Sequence, residues 1–144
     1  MIDEIITQLT AATLNDKPLY KNVEEAIDLA TAMKGSIKNS PVAYVIEINR
    51  RPGKNARDMG PALQKISTTI GVVVGISKRN DVSGLKAKTM AEPILKETRN
   101  ALFGFTPNGA EPLLLGAADI IGTTDHALWT LERFTTEHFE EASQ

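Results

Sequence analysis

Ile2, Ile5, Ile6, Leu9 and Thr13 recur at helical spacing, which predicts a first helix over Ile2 to Leu14. Asp3 and Glu4 suit the dipole of its first turn. Asn15-Asp16-Lys17-Pro18 breaks the pattern, because proline disfavours a helical residue before it. A second helix is expected from Val23 to Met33, with Asn22 as N-cap and Glu24, Glu25 and Asp28 in its early turns. Gly35 is its stop.

From Val42 to Ile48 the period changes to two. Val42, Tyr44, Ile46 and Ile48 point one way, and Ala43, Val45 and Glu47 the other. Asn49 to Pro61 is polar, with two prolines and two glycines, and reads as a long exposed loop. A long strand is expected from Leu63 to Lys78. One face carries Ile66, Thr68, Ile70, Val72, Val74 and Ile76. The other carries Ser67, Thr69, Gly71, Val73, Gly75 and Ser77, small enough to let a neighbouring group come close. Arg79 to Gly84 is a turn. A third helix then spans Leu85 to Phe103, where Pro93 either kinks it or sits in the first turn of a shorter helix opened by Thr89. Gly104 ends it, and Pro107-Asn108-Gly109 turns the chain.

Two extended runs close the pattern, Pro112 to Ile121 and Ala127 to Phe139, separated by a hairpin-like Gly122-Thr123-Thr124-Asp125. The last run also fits a helix through Leu128, Leu131 and Thr135, whereas its Thr, Trp and Phe content suits a strand. The order describes one α+β domain over residues 1–144: a mostly antiparallel sheet of about four strands, with about three helices packed on one face.

Composition narrows the function. Of 144 residues, 42% are hydrophobic and 24% charged, as in an ordinary globular protein. Area scaling gives about 7,200 Å² exposed when folded against about 22,600 Å² unfolded, enough burial for a core. The net charge of -2 argues against a nucleic-acid binder held mainly by charge. With no cysteine there is no disulfide framework or thiol catalysis. No apolar run reaches the roughly 18 residues of a membrane span. The acidic, amphipathic start MIDEIITQL is unlike a secretory signal, so the default compartment is the cytosol.

No arrangement of residues carries a recognisable chemistry. His126 and His138, twelve apart on an extended run, are too far from each other to share a metal. Gly71 and Gly75 lie inside an apolar strand rather than in a phosphate loop. Glu24 and Asp28 would share a helix face, but a solvated helix start explains them. Asp119 sits in an apolar run and is expected to be partly buried. Leu113-Leu114-Leu115 puts apolar groups on both faces, so either the core or another chain covers them. Arg50, Arg51, Lys54 and Arg57 make the loop basic, and no aromatic residue interleaves with them to stack on bases.

Several phrases together resemble the tail terminator (tail completion) proteins of long-tailed bacteriophages. They are Tyr20-Lys21-Asn22-Val23-Glu24-Glu25-Ala26, Pro41-Val42-Ala43-Tyr44-Val45-Ile46, Arg51-Pro52-Gly53, the strand Ile66 to Val74, and Leu102-Phe103-Gly104-Phe105-Thr106-Pro107. Trp129 and Phe134 complete the likeness, which covers nearly the whole chain. The resemblance implies an α+β fold, a hexameric ring on the last ring of tail-tube subunits, an end to tube polymerisation and a surface for joining the head. It implies no cofactor, no metal and no catalysis. The partners would be further copies, the tube protein and a head-completion or connector protein, without membrane, and with no direct DNA contact beyond passage through the ring. The site would be the virion tail, after assembly in the host cytoplasm. The alternatives are another tail or connector assembly part, or a small enzyme or nucleic-acid-binding regulator.

A ring needs two different patches of one subunit to meet. Residues 1–33 carry six acids and two bases, net -4, and residues 34–58 six bases and two acids, net +4. The interface candidates are therefore Glu24, Glu25 and Asp28 facing Arg50, Arg51, Lys54 and Arg57 of a neighbour.

Overall fold

A computed structural model describes residues 1–144. Helix α1 (Ile2–Ala11) is followed by strands β1 (Thr13–Leu14) and β2 (Lys17–Pro18), then β3 (Asn22–Glu25) and helix α2 (Leu29–Met33). Strands β4 (Val42–Asn55) and β5 (Leu63–Ser77), helix α3 (Leu85–Leu102), and strands β6 (Leu114–Thr123) and β7 (Ala127–Glu141) complete the chain. The main sheet has five strands in the order β3-β4-β5-β7-β6, and β1 pairs with β2 separately. The fold is α+β, with one more strand in the sheet than the four expected. All pairings are antiparallel except that of β3 with β4.

The extra strand comes from the segment read as the start of the second helix. Asn22–Glu25 pairs with Val42–Val45, and the helix is only Leu29–Met33. Its N-cap is Asp28, not Asn22: the Thr31 N–H donates to Asp28 Oδ1 at 2.8 Å. Acidic residues before an apolar stretch signal a helix start by propensity, but here main-chain pairing with β4 overrides it. The first helix also stops early, at Ala11. Asn15 and Asp16 both take positive φ (54° and 63°), which turns β1 tightly into β2.

The expected long loop is another difference. Strand β4 continues to Asn55, and its register with β5 reaches Asn55↔Gln64 across two irregularities. Pro52 is tolerated because this part of β4 lies at the sheet edge. Helix α3 begins at Leu85 and runs through Pro93, which is exposed. It therefore opens well before Thr89. Its cap is supplied by Asp81, whose carboxylate accepts from the N–H groups of Gly84 (3.2 Å) and Ala87 (2.9 Å). The last run is a strand: β7 pairs with β5 without a break from Leu63↔Glu141 to Ser77↔Ala127.

Alternation along these strands builds two cores. Ala43, Val45, Ile70, Val72, Val74, Ile76, Leu128 and Phe134 face α1 and α3, meeting Ile5, Leu9, Ala91, Ile94 and Leu102. On the reverse face, Val42, Tyr44, Ile46, Val73, Trp129 and Leu131 meet Ala32 of α2. The helices thus lie on both faces rather than one, because β4, β5 and β7 each turn apolar side chains to both sides. The small face of β5 does what its residues suggest. A Cβ on Gly75 would lie 2.5 Å from Trp129 Cζ3, and one on Gly71 would lie 2.8 Å from Leu131 Cδ1.

One polar cluster interrupts the first core. The Thr98 hydroxyl donates to the Ile94 carbonyl, so Tyr20 Oη donates to Thr98 Oγ1. Burial pushes the Tyr20 phenol far above its ordinary range. Beside it, Arg99 Nη1 donates to Glu132 Oε1 at 2.9 Å. The Glu132 side chain is 5% exposed. Burial raises its carboxyl above the ordinary glutamate range, and Arg99 offsets that only in part.

Two predictions follow from this packing. Gly75→Ala drives a methyl into Trp129 and should destabilise by about 1–3 kcal/mol, while Ser67→Ala on the open part of the same face stays within about 0.5 kcal/mol. Urea melts of both variants test this. The folded state holds the Glu132 proton more tightly than the unfolded chain. This group's contribution to stability is therefore full below about pH 4.3 and is lost as pH rises through the raised folded value. Glu132→Gln should flatten that slope, and Arg99→Ala should cost about 1–3 kcal/mol at neutral pH by leaving the carboxylate unmatched. Denaturant melts across pH read both.

Candidate functional site

The main sheet ends in two strand edges, and these hold most of the residues not used by the cores. At one end lie β3 and, beyond it, the outer half of β4. Strand β3 covers only Val42–Val45, and the Ala26 N–H adds one further bond to the Val45 carbonyl. From Glu47 to Ala56 every residue is exposed.

The basic candidates therefore sit on a strand and not in a floppy loop. Arg50, Arg51 and Lys54 lie on β4, opposite Thr68, Ser67 and the start of β5. Arg57 sits in the β4–β5 turn, tied to Glu141 Oε2 at 2.6 Å and to the Pro61 carbonyl at 3.1 Å. Arg50 pairs with Glu47 at 3.0 Å. Arg51 and Lys54 have no carboxylate within ion-pair distance in the monomer. Arg51 instead borders an open groove of about 560 Å³, together with Asn49, Gly53, Ser67, Thr69 and Arg133.

The acidic candidates separate. Glu24 and Glu25 are on β3, level with Tyr44 and Val45, while Asp28 caps α2. The Thr31 backbone N–H holds the Asp28 carboxyl below its ordinary range. Glu24 and Asp28 do not share a helix face, so the spacing that suggested a chelating pair is lost. Glu24 and Glu25 lie at the same edge of the sheet as Arg50 and Arg51, further back along β4.

At the opposite end of the sheet lies β6, paired only with β7. Every residue from Leu114 to Ile120 is exposed. Of the three leucines, Leu113 is in the core, whereas Leu114, Leu115 and Ile120 are 55%, 46% and 54% exposed. Asp119 is exposed too, not partly buried, and pairs with Arg133 Nη1 at 2.6 Å. The expected apolar run is thus an open edge. Its sequence signal was present: Leu114–Thr123 contains no lysine or proline, the residues that usually guard an edge strand.

No three His, Cys, Asp or Glu side chains gather to hold a metal ion. His126 precedes β7 and His138 lies near its far end, where His138 Nε2 is 3.3 Å from Glu140 Oε1. No helix is long and apolar enough to cross a membrane. What this surface offers is two long strand edges, one basic and one apolar with acidic flanks.

A search of curated proteins finds no match to the chain. The model of the phage tail terminator protein family matches residues 2–143, nearly the whole length, and the chain belongs to that family of structural proteins of the phage tail.

Proposed function

We propose that this chain forms a closed ring, a hexamer, on the last ring of tail-tube subunits, that it ends tube polymerisation there, and that the exposed side of the ring joins the filled head. Membership of the terminator family over residues 2–143 supports the setting. The observation that carries the assembly reading is the excess of open surface. The monomer exposes 8707 Å², against about 7,200 Å² for a compact protein of this mass. The β4 edge from Glu47 and β6 from Leu114 to Ile120 are exposed throughout, and apolar side chains stand open along them. A heterologous contact between two different patches of that surface closes into a ring when the rotation fits.

The protein then acts by shape. Each subunit covers the growing end of the tube and offers no site for the next tube subunit. The net charge of -2 gives no general pull toward DNA, so DNA passes through without being gripped.

The test is to add the protein to purified tube subunits as they polymerise and to measure tube lengths by electron microscopy. Growth should stop, with a cap of roughly six copies of 15.6 kDa at one end of each tube. Unchanged elongation, or protein bound along the tube wall, would overturn the reading.

A further inference from the structure

We propose that the β6 edge of one subunit lies antiparallel along the basic outer half of β4, residues 47–55, of the next copy. This deepens the ring reading above and rests on it.

The topology supplies the first argument. The two edges end opposite sides of one sheet. Since β4–β5, β5–β7 and β7–β6 are each antiparallel, β6 runs antiparallel to β4. Two copies set side by side in the same orientation therefore bring β6 of one toward β4 of the other in the sense the sheet already uses. Such a contact is heterologous, as a ring requires.

Charge supplies the second. Residues 47–57 hold four bases and one acid, net +3. Residues 111–125 hold three acids and no base, net -3. Arg51 and Lys54 on one edge, and Glu111 and Asp125 flanking the other, lack ion-pair partners within the monomer. The competing contacts are unfavourable. Pairing β6 with β3 would set Asp119 against Glu24 and Glu25, and pairing β6 with another β6 would set acids against acids.

Apolar cover supplies the third. Leu114, Leu115 and Ile120 need a lid, and the β4 edge offers Ile48, Pro52 and the alkyl stems of Arg50 and Arg51. Pro52 lacks an N–H and the β6 ladder has two irregularities, so side chains carry part of the junction.

The register has a geometric consequence. Within one subunit Ala118 is level with Val45, through Glu132 and Val72. Strand β3 blocks that level on the neighbour, so β6 must slide by about six residues, or about 20 Å, to reach the free stretch. The strands would then tilt against the ring axis, as in any closed sheet. Centring the two stretches brings Leu114 to Gly116 opposite Lys54, and Asp119 toward Arg51.

The chain has no cysteine, so an engineered pair reads the contact directly. Lys54→Cys and Leu114→Cys are placed together in one chain, rings are assembled on purified tube, and the thiols are oxidised. A ladder of bands up to the hexamer on a denaturing gel, absent from each single variant, is the expected result. Ile120→Lys adds a guarding charge to an already exposed position. It should leave the circular dichroism and the melting midpoint of the monomer unchanged while reducing capped tube ends at least tenfold. Capped tubes without Lys54–Leu114 cross-links would sink this interface and leave the ring standing. A dimer formed by Leu114→Cys alone would sink it too, in favour of a β6–β6 contact. Tubes with no caps in the wild-type control would remove the ring reading and this inference together.

Discussion

The unbroken ladder between β5 and β7 is the constraint on which the rest of the molecule hangs. Fifteen residues of each strand pair in strict antiparallel register. A period of two over that length sends every second side chain to the same face, and a slip by one residue would exchange the faces. Isoleucines, valines and Phe134 go to the α1–α3 side. Trp129 and Leu131 go to the α2 side, where Gly75 and Gly71 leave them room. Glycine in a strand weakens it in isolation. Here the glycines are what allow a large aromatic ring to cross the sheet surface, with the Tyr44 ring 6.3 Å from it on the same face.

That ladder also joins two hairpins, β4–β5 and β6–β7, into one sheet with β4 and β6 facing outward. Neither hairpin ends where its core ends. Strand β4 extends past the cover of β3, and β6 is exposed from Leu114 to Ile120, with α2 reaching only its far end through Met33 beside Gly122. A small protein rarely leaves ten residues of strand with exposed leucine and isoleucine at an edge, because such a strand recruits other chains. In an assembly protein the same feature is useful. The chain belongs to a family of structural proteins of the phage tail, and its two exposed edges are the surfaces proposed above for assembly.

Much of this was legible beforehand. The alternation over residues 42–48 and 63–78 gave the faces of β4 and β5 correctly, and the small face of β5 was read as a place of close approach. The third helix and the turn at Pro107-Asn108-Gly109 were also legible, since periodicity and breakers are local. The second helix was not. Glu24 and Glu25 look like a helix start, and only the presence of β4 at hydrogen-bond distance makes their segment a strand. The basic stretch was misread as a loop for the same reason. Pro52 and Gly53 break a strand locally, yet β5 holds the backbone extended through them. Glu132 escaped notice although its inward position between Phe134 and Thr130 followed from the alternation.

By itself, the sequence determined the first and third helices, the apolar sides of the strand stretches at 42–48 and 63–77, where charge of each sign is concentrated, and the family phrases spread along the chain. These depend on near neighbours and on composition. The tertiary structure alone decided which strands stand at the edges, and therefore which leucines are buried and which are open. It also put the acids of β3 at the same sheet edge as the arginines of β4. Strand order depends on pairing between residues far apart in the chain, and no local periodicity encodes it.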